Sequence, residues 1–228
     1  MLKKLLKSAF VAFAAMGLVA TAPAAMAQAE QQKLVDEATT ALSNFLRDPE
    51  MSWLQNNIGR AKAVLIAPEV VKAGFIFGGS GGRAVLVAHD AKSGKWLGPA
   101  FYTMATASVG FQAGVAVSET VTLVMTDKGL NSLMSNSFKM GADASVAAGP
   151  VGAGAKSNVV ADMIAFSRSK GVYGGLNLDG TVVTTSDEWN TAFFGKKVLP
   201  PDILIRANVS NKLADKLLAE VTKAAAKK

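Results

Sequence analysis

Residues Ala61 to Val87 read AKAVLIAPEVVKAGFIFGGSGGRAVLV. Two apolar runs, Val64 to Ala67 and Gly74 to Phe77, are separated by Pro68-Glu69, and a glycine-rich stretch leads into a third run, Arg83 to His89. β-Branched and aromatic residues bounded by Pro and Gly predict three strands, with a glycine-rich turn between the second and third. The same grammar continues downstream. Strands are predicted at Lys95 to Leu97, Phe101 to Thr106, Val109 to Ala116, Glu119 to Thr126, Ala142 to Ala148, Val159 to Phe166, Val172 to Leu178 and Thr181 to Thr185. In the Glu119 segment Val121, Leu123 and Met125 alternate with Thr120, Thr122 and Val124, the pattern of a strand with one face buried. Asp90 to Gly94 and Asp179-Gly180 have the composition of hairpin turns.

Helical spacing frames this β-rich region. Leu34, Val35, Ala38, Ala41, Leu42, Phe45 and Leu46 form one stripe of a helix from Gln31 to the stop at Asp48-Pro49. A shorter helix follows at Met51 to Ile58, another interrupts the strands at Asp127 to Ser135, and Ser186-Asp187-Glu188 opens one that runs to Phe194. Pro200-Pro201 marks a break. From Ser210 to Lys227 the chain is again amphipathic: Lys212, Lys216, Lys223 and Lys227 fall within roughly 60° of one another at 100° per residue, with Leu213, Leu217, Leu218 and Val221 on the other side. The fold class predicted is α+β: a mixed or antiparallel, barrel-like sheet with N-terminal helices and a C-terminal amphipathic helix.

The chain opens with Lys3, Lys4 and Lys7, an apolar run from Ala9 to Ala20, Pro23, and the small-residue triplet Ala25-Met26-Ala27. That arrangement predicts a secretory signal peptide over residues 1–27, cleaved after Ala27, and a periplasmic or secreted product. The run is shorter than the ~20 residues that span a bilayer. No cysteine is present, so the expected product is not a lipoprotein and uses neither disulfides nor thiol chemistry. The whole chain carries a formal charge of +7; without the three leader lysines, 21 cationic residues face 17 anionic ones, a net +4. A mildly basic, soluble or peripheral protein favours anionic partners.

Several runs resemble one family. Ala61-Lys62, Pro68, Val71 to Phe75 and Gly78-Gly79 are similar to the opening signature of the SYLF domain. Trp96, Pro99 to Phe101, Gly110 to Gly114, Gly141 to Pro150, Ser167 to Gly171 and Pro201 to Leu204 follow in the same order. The likeness runs from about Leu34 to Ile205. It departs at Ala105-Thr106, where the family has further glycines, at Phe193-Phe194-Gly195, where it has Tyr-Tyr-Gly, and at Leu97, where a small hydroxyl residue is common. A SYLF-like domain over residues 28–205 is therefore expected, helical over 31–59 and mostly β over 61–185, followed by the basic helix in 206–228. The resemblance implies a lipid-binding module. For animal relatives it implies that the N-terminal helical region meets the membrane, although the Leu/Phe stripe here has the spacing of a core-facing surface. A faint internal echo links Lys72 to Gly79 with Lys170 to Gly175 and reads as two similar hairpins.

Catalytic sets are hard to assemble. His89 is the single histidine and there is no cysteine, which leaves no credible zinc, copper or haem ligand set and no partnered Ser-His or Cys-His nucleophile. Ser167-Arg168-Ser169-Lys170 spells Ser-x-x-Lys, yet the companion Ser-Asp-Asn and Lys-Thr-Gly triplets do not occur. Gly78 to Gly82 lacks the Lys-Ser/Thr ending of a phosphate loop and leads into a strand. Export and the absence of a dense basic run disfavour nucleic acid. No cofactor is expected.

The function expected is a non-enzymatic protein that recognises anionic phospholipid or a membrane surface. Lys62, Lys72, Arg83, Lys139, Arg168 and Lys170 sit beside the glycine-rich segments. With the backbone of Gly78 and Gly79 they are the lipid-binding candidates. Lys212, Lys216, Lys223 and Lys227 are the membrane-surface candidates. The rival is an envelope interaction module that docks a protein partner or forms a homo-oligomer, which the Gly/Ala-rich segments Ala105 to Ala116 and Gly141 to Ala155 would suit.

Overall fold

The computed structural model describes residues 22–74, 77–109, 114–152, 159–171, 178 and 180–227. Most of the signal peptide, the predicted strand at Val172 to Leu178 up to its last residue, Asp179 of the second hairpin and the distal part of the internal echo lie outside the described residues.

Helix α1 (Ala22–Arg47) and the short α2 (Ser52–Asn57) precede four long strands, β1 (Ala63–Gly74), β2 (Phe77–Asp90), β3 (Lys95–Val109) and β4 (Gly114–Val124). After α3 (Asp127–Leu133) come β5 (Ser137–Lys139), β6 (Val146–Ala148), β7 (Met163–Gly171) and β8 (Val182–Thr185). Then follow α4 (Asp187–Phe194), α5 (Pro200–Leu204) and α6 (Asp215–Ala225). The strands form one sheet in the order β5-β8-β3-β2-β1-β4-β7-β6. Every neighbouring pair is antiparallel except β6 and β7, so the sheet is mixed. Its two edge strands are consecutive in the chain, joined by residues 140–145, and the sheet curls into a half-barrel.

β1 lies at the centre and is buried on both sides over Ala63 to Ala67, each at most 1% exposed. Val64 and Ile66, with Val85, Val87, Phe101, Val121, Leu123, Ile164 and Phe166, face one cluster built on the apolar stripes of α1, α2 and α6. Ala63, Leu65 and Ala67, with Leu86, Tyr102, Met104 and Met163, face a second cluster capped by Leu133, Ile203 and Leu204. The predicted stripe of α1 is buried as expected, since Val35, Ala38, Leu42 and Phe45 are fully inaccessible. Two-sided burial explains why Val64 to Ala67 reads as an unbroken apolar run.

Three expectations are corrected. The two predicted strands around Pro68-Glu69 are one strand: the register shifts between Ile66 and Glu69 against β2 and between Ala67 and Val70 against β4. A bulge is where a proline, lacking an N–H, fits within a sheet. The predicted glycine-rich turn is also strand, because Gly78 to Gly82 pair with Gly74 to Val70 on one side and Ser108 to Met104 on the other. Lys95 to Leu97 and Phe101 to Thr106 likewise join in β3. The bulge and the glycines are linked: a Cβ at Gly82 would overlap the Glu69 carbonyl oxygen, whereas at Gly81 its nearest neighbour would be Met104 O at an ordinary 3.5 Å.

A polar knot fixes the far end of β4. Thr126 caps α3 by accepting from the Gly129 amide at 3.1 Å and donates to the Asp162 carboxylate at 2.6 Å. The same carboxylate accepts from the Ser145 amide and hydroxyl, both at 2.9 Å, and lies 3.5 Å from Lys128 Nζ. The Thr126 hydroxyl, followed by the Ser145 amide, holds the Asp162 carboxyl down to about 2.

Two outcomes are expected. Gly82→Ala should destabilise the protein by ~1–3 kcal/mol in denaturant melts through backbone overpacking, while Gly81→Ala stays near wild type; equal effects would remove the bulge contact as the cause. Because the Asp162 pKa is depressed, its contribution is present above the ordinary carboxylate range and is lost as pH falls toward 2. Asp162→Asn should therefore lower Tm by a few degrees at pH 6, and the gap to wild type should close between pH 4 and pH 2.

Candidate functional site

Beyond the bulge, the four long strands carry their own side-chain pattern on the α1 face. The first row is charged, with Thr103, Arg83 and Glu69 in register and Glu119 opposite Arg168. The next two rows are small and apolar: Ala105, Gly81, Val71 and Val117, then Ala107, Gly79, Ala73 and Val115. Val71 is 39% and Val115 62% exposed, so no described element covers these rows.

The N-terminal half of α1 runs beside this face and leaves a groove. One part, about 560 Å³, is bounded by Gln32, Asp36, Thr40, Pro68 and Glu119. A second, about 390 Å³, is bounded by Glu30, Val71, Gly81, Gly82, Arg83 and Trp189. Lys33, Glu37 and Glu69 line both parts, which are therefore adjacent. Five carboxylates, Glu30, Asp36, Glu37, Glu69 and Glu119, face two cations there. Lys33 is tied to Glu37 at 3.6 Å, and the Arg83 guanidinium stacks 3.9 Å from the Trp189 ring centroid. Glu119 Oε1 accepts from Asn44 at 3.5 Å, while its Oε2 and Gln32 Oε1 are buried with no partner among the described residues. Glu119, read from sequence as a strand-edge charge, sits half-buried in the interior strand β4. The signal was in the sequence: the spacing of Glu30, Lys33, Glu37 and Thr40 marks a polar helix face, but nothing local ties it to Glu69 and Glu119.

The lipid-binding candidates do not converge. The amides of Gly78 and Gly79 lie in the ladder between β1 and β3 and form no anion nest. Lys72 shares the face of Val70, opposite to that of Arg83, so the two cannot clamp one phosphate across the glycines. Lys62 pairs with Asp127 at 2.9 Å near the other end of β1, roughly 30 Å from Lys72 at about 3.3 Å per residue. Arg168 lies 3.7 Å from Asp48 and over the Phe45 ring. Lys139 is exposed on the edge strand β5; Lys170 is paired with Val117 along the backbone, and its side chain lies outside the described residues.

The four lysines of the C-terminal segment do converge. A 3-10 turn, Lys212–Ala214, leads into α6, where Ala214, Leu217, Val221 and Ala224 are buried. Lys212, Lys216, Lys223 and Lys227 are all exposed on the side away from that core.

Among the described residues no group of three or more His, Cys, Asp or Glu is disposed to hold a metal, and no helix is long and apolar enough to cross a membrane. His89 lies 5.3 Å from the Trp96 ring, a packing contact. On the face of β4 opposite α1, Thr120 and Thr122 are 2% and 1% exposed, and their hydroxyls have no partner among the described residues. Replacing such a hydroxyl by a methyl of the same shape removes an uncompensated desolvation. Thr120→Val and Thr122→Val should therefore hold or raise Tm; a marked fall would show that these hydroxyls do have a partner in solution.

The sequence profile described as Ysc84, Las17-binding protein actin regulator, matches residues 105–225. The chain is 34% identical over 143 residues to LAS seventeen-binding protein 3 of Saccharomyces cerevisiae, covering 60% of this chain and 31% of the yeast protein. It is 30% identical over 152 residues to SH3 domain-containing YSC84-like protein 1 of Homo sapiens, covering 64% of this chain and 44% of the human one. The chain thus spans about a third to under half the length of these relatives. No solved structure matches it.

Proposed function

The chain belongs to the Ysc84 family, which carries the SYLF domain, and from that premise we propose that it is an exported, non-catalytic binding protein that docks on anionic phospholipid through the lysine face of α6. The observation that carries the reading is the orientation of that helix: Leu217 and Val221 are fully buried, so Lys216 and Lys223, flanked by Lys212 in the preceding turn and Lys227 just past the helix end, face outward and outnumber the one carboxylate in their stripe, Glu220. Each lysine near an anionic surface contributes on the order of 1 kcal/mol, which supports weak, salt-sensitive attachment. The leader-like N-terminus supports export, and cleavage after Ala27 would remove only the first six residues of α1, upstream of its buried stripe. Relatives named for binding another protein and for regulation support a binding role over a catalytic one.

A protein partner is the second reading. It is favoured by the uncovered rows around Val71 and Val115 and by the name of the yeast relative, a LAS seventeen-binding protein.

Co-sedimentation of the form beginning at Gln28 with neutral and anionic vesicles, at low and physiological salt, tests the proposal. Binding should require anionic lipid and fade with salt. The double reversal Lys216→Glu/Lys223→Glu should weaken it at least ~10-fold, and Lys72→Glu tests the glycine-rich strands separately. Wild-type binding by the double variant removes α6 from the site. No binding to any vesicle moves the function to a protein partner.

A further inference from the structure

The chain carries a net +7, yet its groove beside α1 concentrates five of the 17 acidic residues against two cations. One cation is already paired within the groove and the other is stacked on Trp189. The groove floor is apolar, formed by Pro68, Val71, Gly81 and Gly82, and one carboxylate oxygen, Glu119 Oε2, is buried without a donor among the described residues. A ligand complementary to this lining has several cations on long aliphatic stems. Lysine side chains lay their methylenes on apolar surface while the ammonium reaches for charge.

The same chain presents such a ligand. Lys216 and Lys223 lie about 10 Å apart on one side of α6 at 1.5 Å per residue, with exposed Lys212 in the turn before the helix and Lys227 just beyond its end. The α1 wall of the groove, from Ala29 to Thr40, is about 17 Å long on the same measure. We propose that the lysine face of α6 in one molecule docks into the acidic groove of a second copy. The donor and acceptor surfaces are different patches, so the contact is head-to-tail and each added molecule leaves one groove and one lysine face open. The lysines proposed for lipid contact are the ones consumed, so an anionic membrane and a second copy compete for α6. The self-association itself does not depend on the lipid reading.

Sedimentation velocity on the protein without lipid decides this. At about 10 mM salt, where charges act over ~30 Å, the mean mass should climb with concentration past that of a dimer; at 1 M salt, where the range is ~3 Å, it should return to monomer. Two exposed-charge variants, Glu30→Gln/Asp36→Asn in the groove wall and Lys216→Gln/Lys223→Gln on the helix, should each remain monomeric at low salt, with circular dichroism confirming the fold. Their equimolar mixture should form a dimer and nothing larger, because only one intact groove meets one intact helix. The groove variant should still bind anionic vesicles if α6 is the lipid contact, which separates failure of this proposal from failure of the lipid reading. A monomeric wild type at low salt, or association that survives either variant, overturns the proposal; so does a mixture that fails to pair while the wild type associates.

Discussion

Everything in this molecule hangs on the Ala63 to Ala67 half of β1 being buried on both faces and hydrogen-bonded along both edges. A strand in that position has no solvent side to absorb error, so its neighbours must match it residue by residue. Pro68 breaks the ladder at one point, and the structure answers with a bulge that presses the Glu69 carbonyl towards β2. Gly82 is the residue that accepts this close approach. The proline and glycine that look like punctuation in sequence are one packing solution seen from two strands.

The bulge also divides the sheet into a covered and an uncovered zone. On one side of it, helices α1, α2 and α6 close over Val64, Ile66, Val85 and Phe101 and give the domain its core. On the other, the same strands continue as Gly, Ala and Val rows without a cover, bordered by a charged row and an acidic groove. Core packing and exposed surface are thus separated along the strands rather than between layers. The exposed lysines Lys216 and Lys223 lie on α6, whose apolar side is packed into the core, while most of the groove carboxylates lie on α1, β1 and β4.

Local signals carried much of the architecture. The stripe of α1, the alternation in β4, the turn after Asp90 and the two-sided helix at the C-terminus all follow from periods of 3.6 and 2 that any segment reveals by itself. The lysine stripe was legible for the same reason, because its spacing is helical and its support is the leucine face directly behind it. What misled was Gly78 to Gly82, where turn composition outweighed a pairing that depends on strands up to about 30 residues away. Clustering lysines by their proximity to those glycines failed with it: adjacent strands place Lys72 and Arg83 on opposite faces, and Lys62 belongs to the far end.

The sequence alone determined the α+β class, the apolar faces, the basic helix and the family, since each rests on residue order within a segment. Only the tertiary structure decided that the glycine-rich run is strand, that β6 joins in parallel, and that carboxylates from α1, β1 and β4 share one groove. The physical reason is that register and face are properties of pairs of strands: a bulge of one residue reverses which side of the sheet every later side chain takes.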